Sequence, residues 1–97
     1  MIGESTSSPI GPSADEVAAM ISGWADAGHG ALAQRLAQRL RRAVAAGTVP
    51  DGARLPPERS LARALAVSRS TVTAALDELR ADEVVESRQG SGTWVRG

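Results

Sequence analysis

The sequence predicts a mainly α-helical fold with a small β-hairpin. Apolar residues recur at helical spacing in four segments between residues 14 and 81. Two short segments with strand-forming residues follow, at 84–87 and 93–95, and glycines lie between them. The resulting order is helix, helix, tight turn, helix and hairpin, behind one extra N-terminal helix. This is the layout of a winged helix-turn-helix, with three core helices and a wing.

Composition excludes several classes of protein. With 97 residues, 42% apolar but 2% aromatic, the chain supports one small core of Leu, Val, Ile and Ala. It has no cysteine, which excludes disulfides and Cys-based zinc sites, and no lysine, which excludes a Schiff base. No apolar run approaches the roughly 20 residues of a membrane helix, and the start is not a signal peptide. We therefore expect a cytoplasmic protein that does not contact membranes.

The net charge of zero conceals an asymmetry between the two ends of the chain. Residues 1–30 carry four acids and no arginine, a charge of −4, whereas residues 31–97 carry 11 arginines against seven acids, a charge of +4. A basic region of this kind is compatible with nucleic-acid binding. Its arginines present a rigid fork of donors that suits phosphates and guanine edges.

The N-terminal region contains a leader and a short helix. Residues 1–13, rich in Ser, Gly and Pro, are predicted to be disordered, and residues 14–30 to form a helix and a linker. Ser13 is the expected cap of a helix from Ala14 to about Trp24. One apolar stripe runs along this helix: Val17, Met20, Ile21 and Trp24. The stripe packs on the domain that follows, or it meets a partner helix or another domain.

Residues 31–97 are predicted to form the winged helix-turn-helix domain. Its first helix spans Leu32 to Ala46, is terminated by Gly47, and has an inward stripe of Leu32, Leu36, Leu40 and Val44. A Pro-rich connector follows over residues 48–57, with Arg54-Leu55 as a short strand.

The next two helices form the helix-turn-helix pair. They span Glu58 to Leu65 and Arg69 to about Ala81, with a turn at Ala66-Val67 and Ser68 as the second N-cap. The core stripe of the second helix is Val72, Ala75, Leu76 and Leu79, and the opposite side holds Arg69, Ser70, Thr73 and Arg80. The hairpin strands are predicted at Val84–Ser87 and Thr93–Val95.

The second helix of such a pair enters the DNA major groove, and its first residues touch base edges. Arg69 is therefore the candidate for base readout, with guanine as its preferred partner. Small polar residues suited to phosphate or base contacts surround it: Ser68, Ser70, Thr71 and Thr73. Ser68 and Thr71 also suit helix capping, a role compatible with DNA contact.

Two further groups of candidates flank this helix. Arg59 begins the preceding helix, where an arginine reaches the phosphate backbone or else is an ordinary solvated side chain. The predicted wing tip, which can lie along a minor groove, contains Arg88, Gln89 and Gly90. The glycines here indicate a hairpin and not a phosphate loop, because no helix follows them.

Three motifs, in order and at matching spacing, resemble the GntR family of bacterial regulators over about residues 31–96. They are Leu55 to Ala62 (LPPERSLA), Val67 to Val72 (VSRSTV) and Gly90 to Val95 (GSGTWV). The segments 21–24 and 88–95 look most like the MocR branch of that family. The resemblance implies sequence-specific binding of double-stranded operator DNA by a homodimer, with contacts at Arg59, Ser68, Arg69, Ser70, Thr71, Thr73, Gln89 and Gly90.

The resemblance also defines what this chain lacks and where it departs from the family. MocR-like proteins carry an aminotransferase-like domain that binds pyridoxal phosphate through a lysine, so no cofactor is expected within these 97 residues. Thr73 replaces a basic residue that many relatives have. Ala66 and Glu83 replace glycines. If Ala66 is left-handed, it costs roughly 1 kcal/mol.

Two other classes of function compete with DNA binding. A protein-interaction module would show an apolar or acidic surface on the third core helix, which the polar face of Arg69, Ser70 and Thr73 does not suggest. An enzyme is not expected, because the acidic pairs are adjacent in sequence and no Cys is present to act as a nucleophile. His29, at the predicted break around Gly28, is the single histidine, so we expect neither a metal site nor a catalytic base there.

Overall fold

A computed structural model describes residues 11–26, 30–88 and 92–96, so most of the predicted leader lies outside the described residues. The elements in chain order are α1 (Ala14–Met20), a 3₁₀ turn (Trp24–Asp26), α2 (Leu32–Ala45), α3 (Glu58–Leu65), α4 (Arg69–Ala81), β1 (Val85–Arg88) and β2 (Gly92–Val95). This order confirms the predicted mainly helical winged helix-turn-helix. Within the described ranges, no helix has the length and apolarity that crossing a bilayer requires.

One apolar core joins the helices to the hairpin. Helix α4 packs against α2, α3 and β1, so it lies at the centre of the fold. Its predicted core stripe is confirmed, because the four residues are all buried: Val72, Ala75, Leu76 and Leu79. Leu36 of α2 and Leu61 of α3 are also fully buried, at 0% and 1% exposure. Burial of large aliphatic side chains stabilises each by roughly 1.5–3 kcal/mol.

The N-terminal segment belongs to the same core. Val17, Ile21 and Trp24 are buried in one cluster with the residues of α2, α3 and α4. This finding confirms the first of the two interpretations of the apolar stripe, namely that it packs on the domain that follows. Met20 is half-buried at the edge of the cluster.

Helix α1 begins as predicted and ends earlier than predicted. The Ser13 hydroxyl accepts from the Glu16 backbone N–H at 3.1 Å, and the Glu16 carboxylate accepts from the Ser13 N–H at 2.7 Å, which is a capping box. The prediction that α1 extends to Trp24 is wrong. The helix ends at Met20, because Gly23 takes a positive φ of 85° and Trp24 starts a separate 3₁₀ turn.

Helix α2 begins at Leu32, as predicted. It ends at Ala45, one residue early, and Gly47 takes the left-handed φ of 80° expected at a helix terminus. Leu36 and Leu40 are buried and Val44 is half-buried, but the prediction for Leu32 is wrong, because this side chain is 40% exposed. Leu32 is the first residue of the helix, where no described element covers it.

The bounds of α3 and α4 are those predicted from the sequence. Ser68 caps α4 by accepting from the Thr71 backbone N–H at 3.2 Å. Ala66, in the turn between the helices, is left-handed with φ 59° and ψ 43°. Glu83, just after α4, also has a positive φ, of 61°. Both departures from glycine therefore occupy left-handed positions, where a Cβ costs roughly 1–2 kcal/mol.

The wing is an antiparallel hairpin in which Val85 pairs with Val95 and Arg88 with Gly92. Its strands begin or end one residue away from their predicted bounds. Val84 precedes β1, and Arg88, predicted for the loop, is its last residue. Arg54 pairs with Trp94 on the other edge of β2, and the Leu55 N–H donates to the Thr93 carbonyl at 2.8 Å. This bridge confirms the short strand predicted at Arg54-Leu55.

Candidate nucleic-acid interface

The first turns of α3 and α4 and the start of β2 surround one open groove of about 490 Å³. It is lined by Pro56, Pro57, Glu58, Arg59, Ser60, Arg69, Gly92 and Thr93. We call it the basic groove, after its two arginines. It brings together candidates that the sequence analysis drew from two separate helices.

Arg59 and Arg69 are the two cations of the basic groove. Arg59 is the second residue of α3 and Arg69 is the first residue of α4, so both lie at positive helix ends. Both side chains are exposed, and neither makes a hydrogen bond or an ion pair within the described part of the chain. Their guanidinium donors are therefore available to an external anion such as a DNA phosphate.

Three hydroxyl groups cluster at the start of α4. The Ser68 Oγ lies 3.0 Å from both the Ser70 Oγ and the Thr71 Oγ1. Ser68 and Ser70 are exposed and Thr71 is half-buried. The capping role of Ser68 is confirmed, and the exposure of the cluster leaves its second role, contact with DNA, as a prediction.

Thr73 differs from the other predicted contacts because its hydroxyl is bound to a residue of another helix. The sequence analysis placed it on the side opposite the core, whereas it is half-buried and its Oγ1 donates to the Glu58 Oε1 at 2.8 Å. The other oxygen of Glu58 lies 3.7 Å from the Arg80 Nη2. The Thr73 hydroxyl proton is thus engaged in a network that links α4 to α3.

Arg80 connects α4 to both strands of the wing. Its Nε donates to the Ser87 Oγ at 2.6 Å, its Nη2 to the Thr93 Oγ1 at 3.3 Å, and its Nη1 to the Asp77 Oδ1 at 2.6 Å. The side chain is 28% exposed. The helical spacing predicts Arg80 on the outer face of α4 and assigns it no role. The spacing within a single helix does not indicate contacts with other elements.

Only the base of the wing belongs to the described residues. Gln89 and Gly90, both predicted contacts, lie outside them. Arg88 pairs with Glu86 at 2.9 Å, and its guanidinium carbon lies 4.6 Å from the centre of the Trp94 ring. Arg88 is thus partly committed to contacts within the wing.

The surface of α4 lacks the apolar feature expected of a protein-interaction module. The only exposed large hydrophobic side chain among the described residues is Leu32, which lies on α2. The exposed start of α4 instead carries Arg69 and Ser70.

Comparisons with known proteins agree with this architecture. The family model described as bacterial regulatory proteins, gntR family, matches residues 32–95. The probable rhizopine catabolism regulatory protein MocR of Rhizobium meliloti is 47% identical over 62 residues, which cover 64% of this chain and 13% of that protein. The mannosyl-D-glycerate transport/metabolism system repressor MngR of Escherichia coli is 42% identical over 69 residues, which cover 71% of this chain and 29% of that protein.

A solved structure shows the same fold. The crystal structure of a transcriptional regulator from Oenococcus oeni matches with a TM-score of 0.68 and 27% identity. The match covers 73% of this chain and 59% of that one. This chain therefore spans only part of the length of its relatives.

Proposed function

Because the chain belongs to the gntR family of bacterial regulatory proteins, we propose that it binds operator DNA sequence-specifically, as the reading domain of a transcription regulator. In this proposal α4 lies in the major groove and the wing, residues 88–92, lies at the minor groove. DNA binding itself follows from the family, and the two groove assignments are the finer part of the proposal.

The observation that carries this proposal is the pair of arginines in the basic groove, whose side chains have no hydrogen-bond or ion-pair partner among the described residues. Arginine is the commonest specific reader of guanine, because its fork matches the O6 and N7 acceptors. Arg69 is the first residue of α4, the position from which a recognition helix reaches base edges. We therefore assign base readout to Arg69 and a phosphate contact to Arg59.

The polar residues around this pair support the same assignment. Ser68, Ser70 and Thr71 present hydroxyl groups beside Arg69, at a helix N-terminus that favours phosphate oxygens. Thr73 contributes less in this proposal, since its hydroxyl is already bound to Glu58. Gln89 and Gly90 are assigned to the minor groove because they lie in the sequence between the two strands of the wing.

The proposal includes symmetric recognition by two copies of the regulator. A helix-turn-helix dimer places its recognition helices one helical turn of DNA apart, so the operator consists of two half-sites in a palindrome. Each copy of this chain reads one half-site in that arrangement.

The test is a selection of duplexes from a random library with the purified chain, followed by titration of the selected duplex and a scrambled one. We expect the wild type to prefer the selected duplex. We expect Arg69→Ala to lose roughly 5- to 150-fold of that preference, the range of one bidentate base contact. Arg42→Ala, an exposed arginine on α2 outside the groove, should keep it.

The outcome separates the family-level function from the residue-level assignment. Binding that ignores sequence in the wild type contradicts sequence-specific recognition. Selective binding that survives intact in Arg69→Ala keeps the function but removes Arg69 as its base reader.

A further inference from the structure

The eleven arginines of this chain fall into two groups. Six make ion pairs or hydrogen bonds to described residues: Arg35, Arg39, Arg41, Arg80, Arg88 and Arg96. Five make none within the described part of the chain: Arg42, Arg54, Arg59, Arg63 and Arg69. Two of these five are the cations of the basic groove, and a third, Arg54, lies next to it.

Arg54 reaches the wing end of the basic groove. Its backbone pairs with Trp94, and its guanidinium carbon lies 6.0 Å from the centre of the Trp94 ring. A Cβ built on Gly92, which lines the groove, would lie 3.3 Å from the Arg54 Nε and 3.4 Å from its Nη2. The guanidinium is therefore seated against the backbone of the groove wall.

No carboxylate balances Arg54 within the described residues. The acid on that face of the wing, Glu86, is already paired with Arg88 at 2.9 Å and lies 4.0 Å from Arg96. Arg54 and Arg88 also share the Trp94 ring, at 6.0 and 4.6 Å. The base of the wing thus holds more cations than anions, an arrangement that favours an external anion.

We propose that Arg54 is a third DNA contact, which binds a phosphate beside the wing while Arg59 and Arg69 bind at the helix ends. The inference rests on the proposed function and extends it to a residue that the helix-turn-helix pattern does not include. The position of the Arg54 side chain beside the Trp94 ring and the Gly92 backbone limits its conformations, so less entropy is lost when it meets a phosphate. The contact adds affinity and no sequence preference.

The test compares the salt dependence of DNA binding in the full chain. The probe is a fluorescent duplex of arbitrary sequence, because a phosphate contact does not depend on sequence. It is titrated from about 0.05 to about 0.2 M salt. We expect Arg54→Gln to bind more weakly and to make the slope of log affinity against log salt shallower by about 0.9. The deficit relative to wild type should then shrink about 3.5-fold across that range.

Two variants serve as controls. Arg42→Gln removes an equally unpartnered arginine from α2, so a slope that falls as much as in Arg54→Gln would overturn the proposal. Arg54→Lys keeps the charge and should keep the slope. An unchanged slope in folded Arg54→Gln also overturns it.

A measurement on the wild type alone covers the case in which Arg54→Gln does not fold. Phenylglyoxal modifies accessible arginines, and peptide mass spectrometry locates them. We expect duplex DNA to protect Arg54 and to leave Arg42 reactive; equal reactivity of Arg54 with and without DNA contradicts the proposal. If the wild type binds no duplex at any salt, the proposed function fails first, and this result is distinct from a failure of Arg54 alone.

Discussion

Two regions of the domain use arginine differently. One is the N-terminal half, α1 and α2, and the other is the surface proposed to read DNA, formed by α3, α4 and the wing and called the reading face. In α2, the Arg35 Nη1 donates to the Ala25 carbonyl at 2.8 Å, and the Arg39 Nη2 donates to the Ser22 carbonyl at 3.1 Å. These arginines fasten the 3₁₀ turn and the end of α1 to the domain. On the reading face, Arg59 and Arg69 have no partner within the described residues. The comparison shows that the same side chain is committed to internal contacts in one region and is available to an external anion in the other.

Arg80 shares features with both groups of arginines. It is on the reading face, yet its donors are occupied by Asp77, Ser87 and Thr93. Its contacts with Ser87 and Thr93 hold the two strands of the wing beside α4, so we expect Arg80 to influence DNA binding without touching DNA. Three substitutions test this division, from the largest expected effect to the smallest.

The largest effect is expected in the N-terminal half. Ile21→Ala removes a fully buried side chain from the cluster shared with α2, α3 and α4. We expect a loss of about 2–5 kcal/mol in the free energy of unfolding, because the site cannot collapse fully around the missing atoms. Chemical denaturation measures it, with the exposed Ser22→Ala as control. A separate early transition for α1 would show instead that this half is only loosely attached.

A smaller effect on stability is expected at Arg80. Arg80→Gln removes the contacts to Ser87 and Thr93, and we expect a loss of about 1–2 kcal/mol of stability together with weaker DNA binding. Thermal melting and duplex titration measure the two effects. Asp77→Asn is the matched control, because it removes one exposed contact of Arg80 and leaves the wing contacts in place. Unchanged DNA affinity in folded Arg80→Gln would show that the contacts between Arg80 and the wing do not contribute to DNA binding.

The smallest effect is expected in the turn of the helix pair, and it is a gain. Ala66→Gly relieves the left-handed Cβ and should raise the free energy of unfolding by about 1 kcal/mol. For a domain of this size the melting temperature should rise by about 4–8 °C. Ala64→Gly, two residues earlier inside α3, should lower it. A lower melting temperature in Ala66→Gly would contradict the strain at this turn.

The parts of the fold predicted correctly from the sequence are those set by local signals. The bounds of α3 and α4 follow from the cap at Ser68, the turn at Ala66 and the spacing of their buried residues. The end of α1 was wrong because its apolar stripe continues past Met20, whereas Gly23 reverses the chain. A stripe indicates which residues are buried more reliably than it indicates where a helix ends.

The candidate site was predictable to the same extent. Arg59 lies in the first turn of α3 and Arg69 begins α4, and each position can be read from one short motif. Thr73 donates to Glu58, 15 positions away in the sequence. Arg54 contacts the Trp94 ring, 40 positions away. Such contacts depend on how the elements pack, so neither appears in the pattern of any single helix or strand.

The contacts of Arg80 with Ser87 and Thr93 have a consequence for the kinetics of DNA binding. Arg80 contacts both strands of the hairpin in the free protein. These strands therefore lose their conformational freedom when the domain folds, and little ordering of them is left for the encounter with DNA. Substitutions at the contacting arginines should therefore act mainly on the lifetime of the complex. Loosening Arg80 should also slow its formation, since binding would then have to wait for the wing to reach its place.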